Sequence, residues 1–242
     1  YRRNTVLEAL RGRRRAIHRL WVQKGARQIE EIVAVAQSRS IPIDHVKKAH
    51  LSQLAGDASH QGVVLEVGPY AYSTLDEILS VATDRQEKPF LLLLDLLHGP
   101  QNIGALLRAA EACGVHGIVL QDRRAPDITP QVVIHSAGAA EHLLIAQVTN
   151  LVKAINRLKE ADLWIVGLEM DQQAQPLGQL DLDMALALVV GHEGHGLRRL
   201  VRESCDFLLK LPMRGHVESL NVATAGAIAL YAAWQARGFE GT

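Results

Sequence analysis

Two cysteines in 242 residues are too few for a disulfide scaffold or a cysteine-based zinc site, and Cys113 and Cys205 both lie in apolar segments where a buried thiol is ordinary. No apolar run approaches the roughly 20 residues that a membrane-spanning helix needs. The Arg-rich beginning also lacks the apolar core of a signal peptide. The expectation is a soluble, cytoplasmic protein with no membrane partner. The chain opens on Tyr1 rather than Met, which points to a trimmed start. A Gly-x-Gly-x-x-Gly turn after the first strand of the long strand–helix alternation is missing too, which excludes the common dinucleotide-binding loop. His192-Glu193-Gly194-His195 lacks the spacing of His-Glu-x-x-His and has no third ligand nearby, so no metal is expected.

Charge of either sign is not in excess over the whole chain, but it is unevenly placed. Residues 1–75 hold 12 basic and 6 acidic side chains, net +6, and residues 76–242 hold 14 and 20, net −6. The first segment therefore carries attraction to nucleic acid and the second is the better seat for chemistry. With 48 % hydrophobic residues the chain can bury a substantial core, and its length suits two domains.

The early part reads as a small α/β unit. Thr5 is placed to cap a helix through Val6, Leu7 and Leu10 toward Gly12, before a short strand-like run at 18–22. A helix over 26–38 puts Ile29, Ile32, Val33 and Ala36 on one face, another fits 46–54, and an apolar strand covers 63–67. A break at 68–73 and the polar stretch 83–88 after a helical segment at 75–82 mark a linker over 74–89. Beyond Phe90, apolar runs at 91–94, 117–120, 163–166, 187–190 and 207–211 read as buried parallel strands. Helices are expected near 103–114, 129–137, 151–160 and 197–203.

Three motifs stand at the edges of those strands: residues 95–108 (DLLHGPQNIGALLR), 188–196 (LVVGHEGHG) and 211–221 (LPMRGHVESLN). Each sets Gly or Pro beside a few polar side chains, the composition of a ligand site built from backbone, and together they read as one active site. Because the glycines follow late strands, any cofactor loop is C-terminal. Asn102, after Gly99-Pro100, stands where the N-cap of the next helix is expected. Arg108, amid Leu106, Leu107, Ala109 and Ala110, needs a partner, either RNA phosphate or Glu193. Of Ser219 and Asn221, one can cap the last helix while the other faces the site.

This triplet resembles the SpoU (TrmH) family of RNA 2′-O-ribose methyltransferases, within the SPOUT class, over roughly residues 90–238. The resemblance implies a C-terminal α/β domain tied in a trefoil knot, an exception to the rule that chains do not thread their loops. It implies S-adenosylmethionine as cofactor, with Gly191, Leu211 and Leu220 around its adenosyl part, and a catalytic set of Asn102, Arg108, Glu193, Ser219 and Asn221. Arg108 matches the family's proposed catalytic arginine. An arginine stays charged at ordinary pH, so stabilising the developing alkoxide or anchoring a phosphate suits it better than general-base duty. The last helix, small-residue-rich with Tyr231 and Trp234 as anchors, is implied to join a homodimer interface.

Residues 1–73, with His60-Gln61-Gly62-Val63, resemble the L30e-like RNA-binding domain that precedes the catalytic domain in ribosomal SpoU enzymes, leaving 90–242 as the methyltransferase domain. Arg11, Arg13, Arg14 and Arg15 are the expected phosphate contacts. The layout implies 23S rRNA as substrate, most specifically a guanosine. A tRNA ribose methyltransferase and a non-catalytic RNA-binding or ribosome-assembly protein are the alternatives.

Overall fold

A run of five apolar residues with no polar alternation, Phe90-Leu91-Leu92-Leu93-Leu94, is what a strand covered on both faces requires. In the computed structural model these residues form a strand at most 3 % exposed at any position. The structure describes residues 1–12, 14–56, 59–122, 127–217 and 219–241. The chain divides into one unit of Tyr1–Ala71 with Ile128–His142, and a second of Tyr72–Asp127 with Leu143–Thr242.

In the first unit, α1 (Arg3–Gly12), β1 (Ile17–Gln23), α2 (Glu30–Ser38), β2 (Ile43–Val46), α3 (Lys48–Ala55) and β3 (Val63–Val67) follow in order. The sheet order is β2-β1-β3, with β1 parallel to β2 and antiparallel to β3. Leu20 and Val22 of β1 bury one face beneath Val6 and Leu10 of α1 and Ile32 and Ala36 of α2, while α3 packs on β1 and β3 and buries Leu51. Thr5 does not cap α1; the helix begins two residues earlier and Thr5 is buried within it.

In the second unit, α4 (Leu75–Arg85), β4 (Phe90–Leu94), α5 (Pro100–Ala112), β5 (Gly117–Gln121), β6 (Ile145–Val148), α7 (Leu151–Lys159), β7 (Trp164–Leu168), β8 (Gln175–Pro176), β9 (Leu186–Val190), α8 (Arg199–Glu203), β10 (Phe207–Lys210) and α9 (Val222–Ala236) build an α/β layer structure. The label α6 belongs to Pro130–His135 in the first unit. The seven strands are all parallel, in the order β6-β5-β4-β9-β7-β10-β8. Leu91, Leu93, Val119, Ile165 and Val189 face a core shared with Ile78 of α4, Ile155 and Leu158 of α7 and Val201 of α8. On the other face α5 packs against α9, where a Cβ on Gly226 would come within 2.4 Å of Leu106. The small residues of α9 thus serve close helix packing.

Two boundary regions gain structural detail. The linker over 74–89 is largely the ordered helix α4, started by a capping box in which Thr74 Oγ1 accepts from Glu77 N and Glu77 Oε2 accepts from Thr74 N, with Ile78 and Ala82 buried. Residues 128–142, expected inside the catalytic domain, cluster with the first unit. Among the ties is an ion pair no local pattern reveals: Arg15 donates Nε and Nη2 to the two oxygens of Glu141, both side chains being at most 10 % exposed. Gly12 allows the approach, since a Cβ there would meet the Glu141 carbonyl oxygen at 2.3 Å.

The cysteines are inert. Cys113 is buried with its thiol pushed up by desolvation, and burial, reinforced by Asp206, pushes the Cys205 thiol up to about 12. Among the described residues no helix is long and apolar enough to cross a membrane.

Candidate active site

Parallel strands end together, so the loops after β4, β7, β9 and β10 gather at one edge of the sheet, where open α/β sheets place their ligands. A cavity of about 390 Å³ lies there, lined by Gly191 to Gly196 after β9, Leu168 to Met170 at the end of β7, and Lys210, Leu211, Met213, Ser219, Leu220, Val222 and Ala225 from β10 onward. Its volume falls within the ~300–1,000 Å³ typical of small-molecule sites. Gly191, Leu211 and Leu220, the expected cofactor residues, all line it, as do Glu193 and Ser219.

The glycines are required by geometry. A Cβ on Gly191 would sit 2.4 Å from the Gly196 carbonyl carbon, and Gly196 has φ +65°. The loop is pinched by reciprocal bonds, His192 N to Gly196 O and Gly196 N to His192 O, both 3.0 Å. Its far end is held by Glu169, whose Oε2 accepts from Leu197 N at 2.8 Å. Glu169 is a cavity residue outside all three motifs. The only signal for Glu169 was its place just past an apolar run.

Asn102 is not the N-cap of α5. Gly99 is, with Pro100 in the first turn, which frees the Asn102 side chain for tertiary work. Asn102 Nδ2 donates to Glu193 Oε1 at 2.7 Å, and Asn221 Nδ2 donates to Asn102 Oδ1 at 3.1 Å. Asn221 is also the N-cap of α9, its Oδ1 accepting from Ala223 N and Thr224 N. One residue from each motif is thus joined in a single chain of hydrogen bonds. Partial burial alone would raise the Glu193 carboxyl, but the bonds from Asn102 and its own backbone, with His192 and His98 nearby, hold it below its usual range. It is therefore ionised at neutral pH.

The histidines form a small ring cluster: His192 stacks on His195 at 5.3 Å and meets His98 edge-on at 5.7 Å. His192 Nδ1 accepts from Gly194 N, so its neutral ring carries the proton on Nε2. Among the described residues no group of three such side chains is arranged to hold a metal ion.

Arg108 lies apart from the cavity lining. It is exposed on α5 and meets no hydrogen-bond or ion-pair partner among the described residues. Glu193 is not its partner; that carboxylate accepts from Asn102 instead. Asp95, at the start of the first motif, instead serves the scaffold: fully buried, it accepts from Arg198 N at 2.9 Å and Arg198 Nε at 2.7 Å, fixing the start of α8 to the end of β4.

The expected phosphate arginines are mostly engaged within the first unit. Arg11 pairs with Glu8 and Glu31, Arg15 with Glu141, and Arg14 is half-buried with Nε out of contact with solvent. Arg13 lies outside the described residues.

Comparison with known proteins identifies the family of the chain. The model of the SpoU rRNA methylase family matches residues 89–231, and that of RNA 2′-O ribose methyltransferase substrate binding matches 3–73. A Bacillus subtilis protein assigned to the TrmH family of tRNA/rRNA methyltransferases, YacO, is 39 % identical over 97 % of this chain and 94 % of its own. The SpoU methyltransferase AviRb of Streptomyces viridochromogenes, also solved with the cofactor AdoMet, superimposes with TM-score 0.80 at 22 % identity, covering 97 % of this chain and 87 % of its own. An AdoMet-bound rRNA methyltransferase from Sinorhizobium meliloti gives TM-score 0.78 at 24 % identity over 96 % of this chain and 84 % of its own. Fold and site together define a methyltransferase that acts on RNA. The chain belongs to the SpoU rRNA methylase family.

Proposed function

We propose that this protein transfers a methyl group from S-adenosylmethionine to a ribose 2′-hydroxyl of 23S rRNA, at a guanosine, and that it works as a cytoplasmic homodimer whose C-terminal domain is threaded as a trefoil knot. The observation that carries the reading is the hydrogen-bonded series Asn221–Asn102–Glu193 at the rim of a cavity lined by Gly191, Leu211 and Leu220. The donor supplies a methyl group on a positively charged sulfur. The backbone of the pinched glycine loop and the apolar wall of Leu211 and Leu220 suit its adenosyl part.

The chain must hold the 2′-oxygen in line with that methyl group, and positioning of this kind is worth ~7–11 kcal/mol. Asn102, Glu193, Ser219 and Asn221 are the polar groups available to orient the ribose. Arg108, uncompensated and exposed, stabilises the developing negative charge on the oxygen or anchors an adjacent phosphate. Its lack of a partner among the described residues supports a role toward RNA or a second subunit. The exposed apolar side chains Ile228 and Tyr231 of α9 support association into a dimer.

The ribosomal reading is supported by the SpoU rRNA methylase match at residues 89–231 and by the S. meliloti rRNA enzyme, similar over both units. A tRNA substrate is the second reading, favoured by the tRNA/rRNA naming of YacO. The test is incubation with tritiated S-adenosylmethionine and separated ribosomal and transfer RNA, followed by ribose-methylation mapping. Label in 23S rRNA, abolished by Arg108→Ala, is expected. Label in tRNA would overturn the substrate, and failure to bind the donor at millimolar concentration would favour a non-catalytic RNA-binding role. Arg108→Lys is expected to bind the donor normally and to lose nearly all turnover, because a point charge cannot reproduce the planar fork.

A further inference from the structure

In the first unit, three cations without a carboxylate partner among the described residues, Arg3, Arg27 and Lys48, meet at a different place from the arginine-rich segment 11–15. A hollow of about 490 Å³ is lined by Arg3, Arg27, Lys48, Gln28, His60 and Gln61 with backbone from the loops after β1 and before β3, and among the described residues no carboxylate lines it. Elsewhere in the unit Arg11, Arg15 and Arg19 are each paired with Glu or Asp. The side chains of Arg27 and Lys48 are exposed and have no ion-pair partner among the described residues.

Three further observations point to an anion. Arg3 is held only by neutral oxygens, Nη1 donating to Gln28 Oε1 and its backbone N to Gln61 Oε1, so its charge is positioned but not cancelled. Gln28 and Gln61 occupy left-handed backbone at φ +57° and +56°, a strained conformation for residues other than glycine and one that clusters at functional positions. Finally, α1 begins at Arg3 and α3 at Lys48, and neither has an acidic residue in its first turn. The positive ends of both helix dipoles thus add to the cations instead of opposing them, which costs stability unless an anion is bound.

We propose that this hollow is the docking site for the RNA sugar–phosphate backbone, with Arg3, Arg27 and Lys48 as phosphate contacts, and that Arg11 and Arg15 serve the fold. The inference rests on the methyltransferase reading only for the identity of the nucleic acid. Contacts of this kind position the substrate without reading its sequence.

The test measures binding of labelled 23S rRNA transcript fragments by fluorescence anisotropy from about 50 to 200 mM salt. The wild type is compared with Arg27→Gln/Lys48→Gln and with Arg11→Gln. Each lost phosphate contact lowers the log–log salt slope by about 0.9, so the double variant should lose nearly two units of slope and about tenfold in affinity. Arg11→Gln should match the wild type. An unchanged slope in the double variant, or an equal loss in Arg11→Gln, overturns the proposal. Thermal midpoints check that each variant is folded. Donor titration calorimetry on the same proteins reads the methyltransferase assignment separately: wild type that binds donor but no RNA sinks the docking site alone.

Discussion

Asn221 does two jobs with its two amide atoms, and this makes them separable. Oδ1 caps α9 and Nδ2 donates to Asn102. Asn221→Ala removes both and should cost about 1 kcal/mol of stability as well as activity. Asn221→Asp keeps a capping oxygen, and its negative charge suits a helix start, but it cannot donate to Asn102. Denaturant unfolding of the Asp variant should therefore match the wild type or exceed it while turnover falls at least ~100-fold, the scale of losing one oriented polar group in an active site. Equal losses of turnover and stability would reduce Asn221 to a cap. The sequence marked both duties but left Ser219 and Asn221 as rivals for the cap. The choice depends on where the chain turns into α9, and no side-chain pattern records that. For Asn102 the sequence misled, because Gly99 and Pro100 start the helix without a side-chain cap.

Among elements, the parallel strands were legible because burial on both faces leaves continuous apolar runs, and five of the seven in the large sheet were expected from them. The strand β6 (Ile145–Val148) and the two-residue β8 were missed. β6 is short and contains Gln147, and β8 holds Pro176 at the sheet edge, so neither carries a strand pattern. Segment 128–142 was placed with its sequence neighbours because its attachment through Arg15 and Glu141 spans 126 positions. A comparable long-range tie joins β5 to β4: His116 Nδ1 accepts from Phe90 N at 3.0 Å and Nε2 meets Glu87 Oε2 at 2.8 Å. Burial holds the His116 imidazole below its ordinary 6.5, and Glu87 only partly opposes this. In the unfolded chain His116 binds a proton more readily than in the fold. The stability due to the neutral ring is thus present above about pH 6.5 and lost as pH falls through the lower folded value. The denaturation midpoint of the wild type should fall over that interval. His116→Gln should start lower at pH 8, by about 1 kcal/mol for the bonds lost, and fall less steeply.

For the molecule as a whole, the open question at the site is which chain's Arg108 serves which cavity. Within one chain Arg108 lies six positions beyond Asn102 along α5, about 9 Å farther along the axis and on a different face. It has no partner there among the described residues, whereas the Asn221–Asn102–Glu193 series is complete within the chain. If the active form is a homodimer and Arg108 reaches the partner's cavity, two inactive variants can complement each other. Equal amounts of Arg108→Ala and Asn221→Asp, mixed and reassociated, give hybrid dimers as half the population, each with one intact site. The mixture should recover about a quarter of wild-type activity in a symmetric two-fold assembly. An inactive mixture, with hybrids verified by native mass spectrometry, would place Arg108 in its own chain's site. Ile228→Glu provides the companion measurement. That side chain is 40 % exposed on α9, so the substitution should leave the fold intact, yet a charge in an apolar contact should yield monomers. Such monomers should lose turnover in step with association, and full activity in a monomer would remove the need for a second subunit altogether.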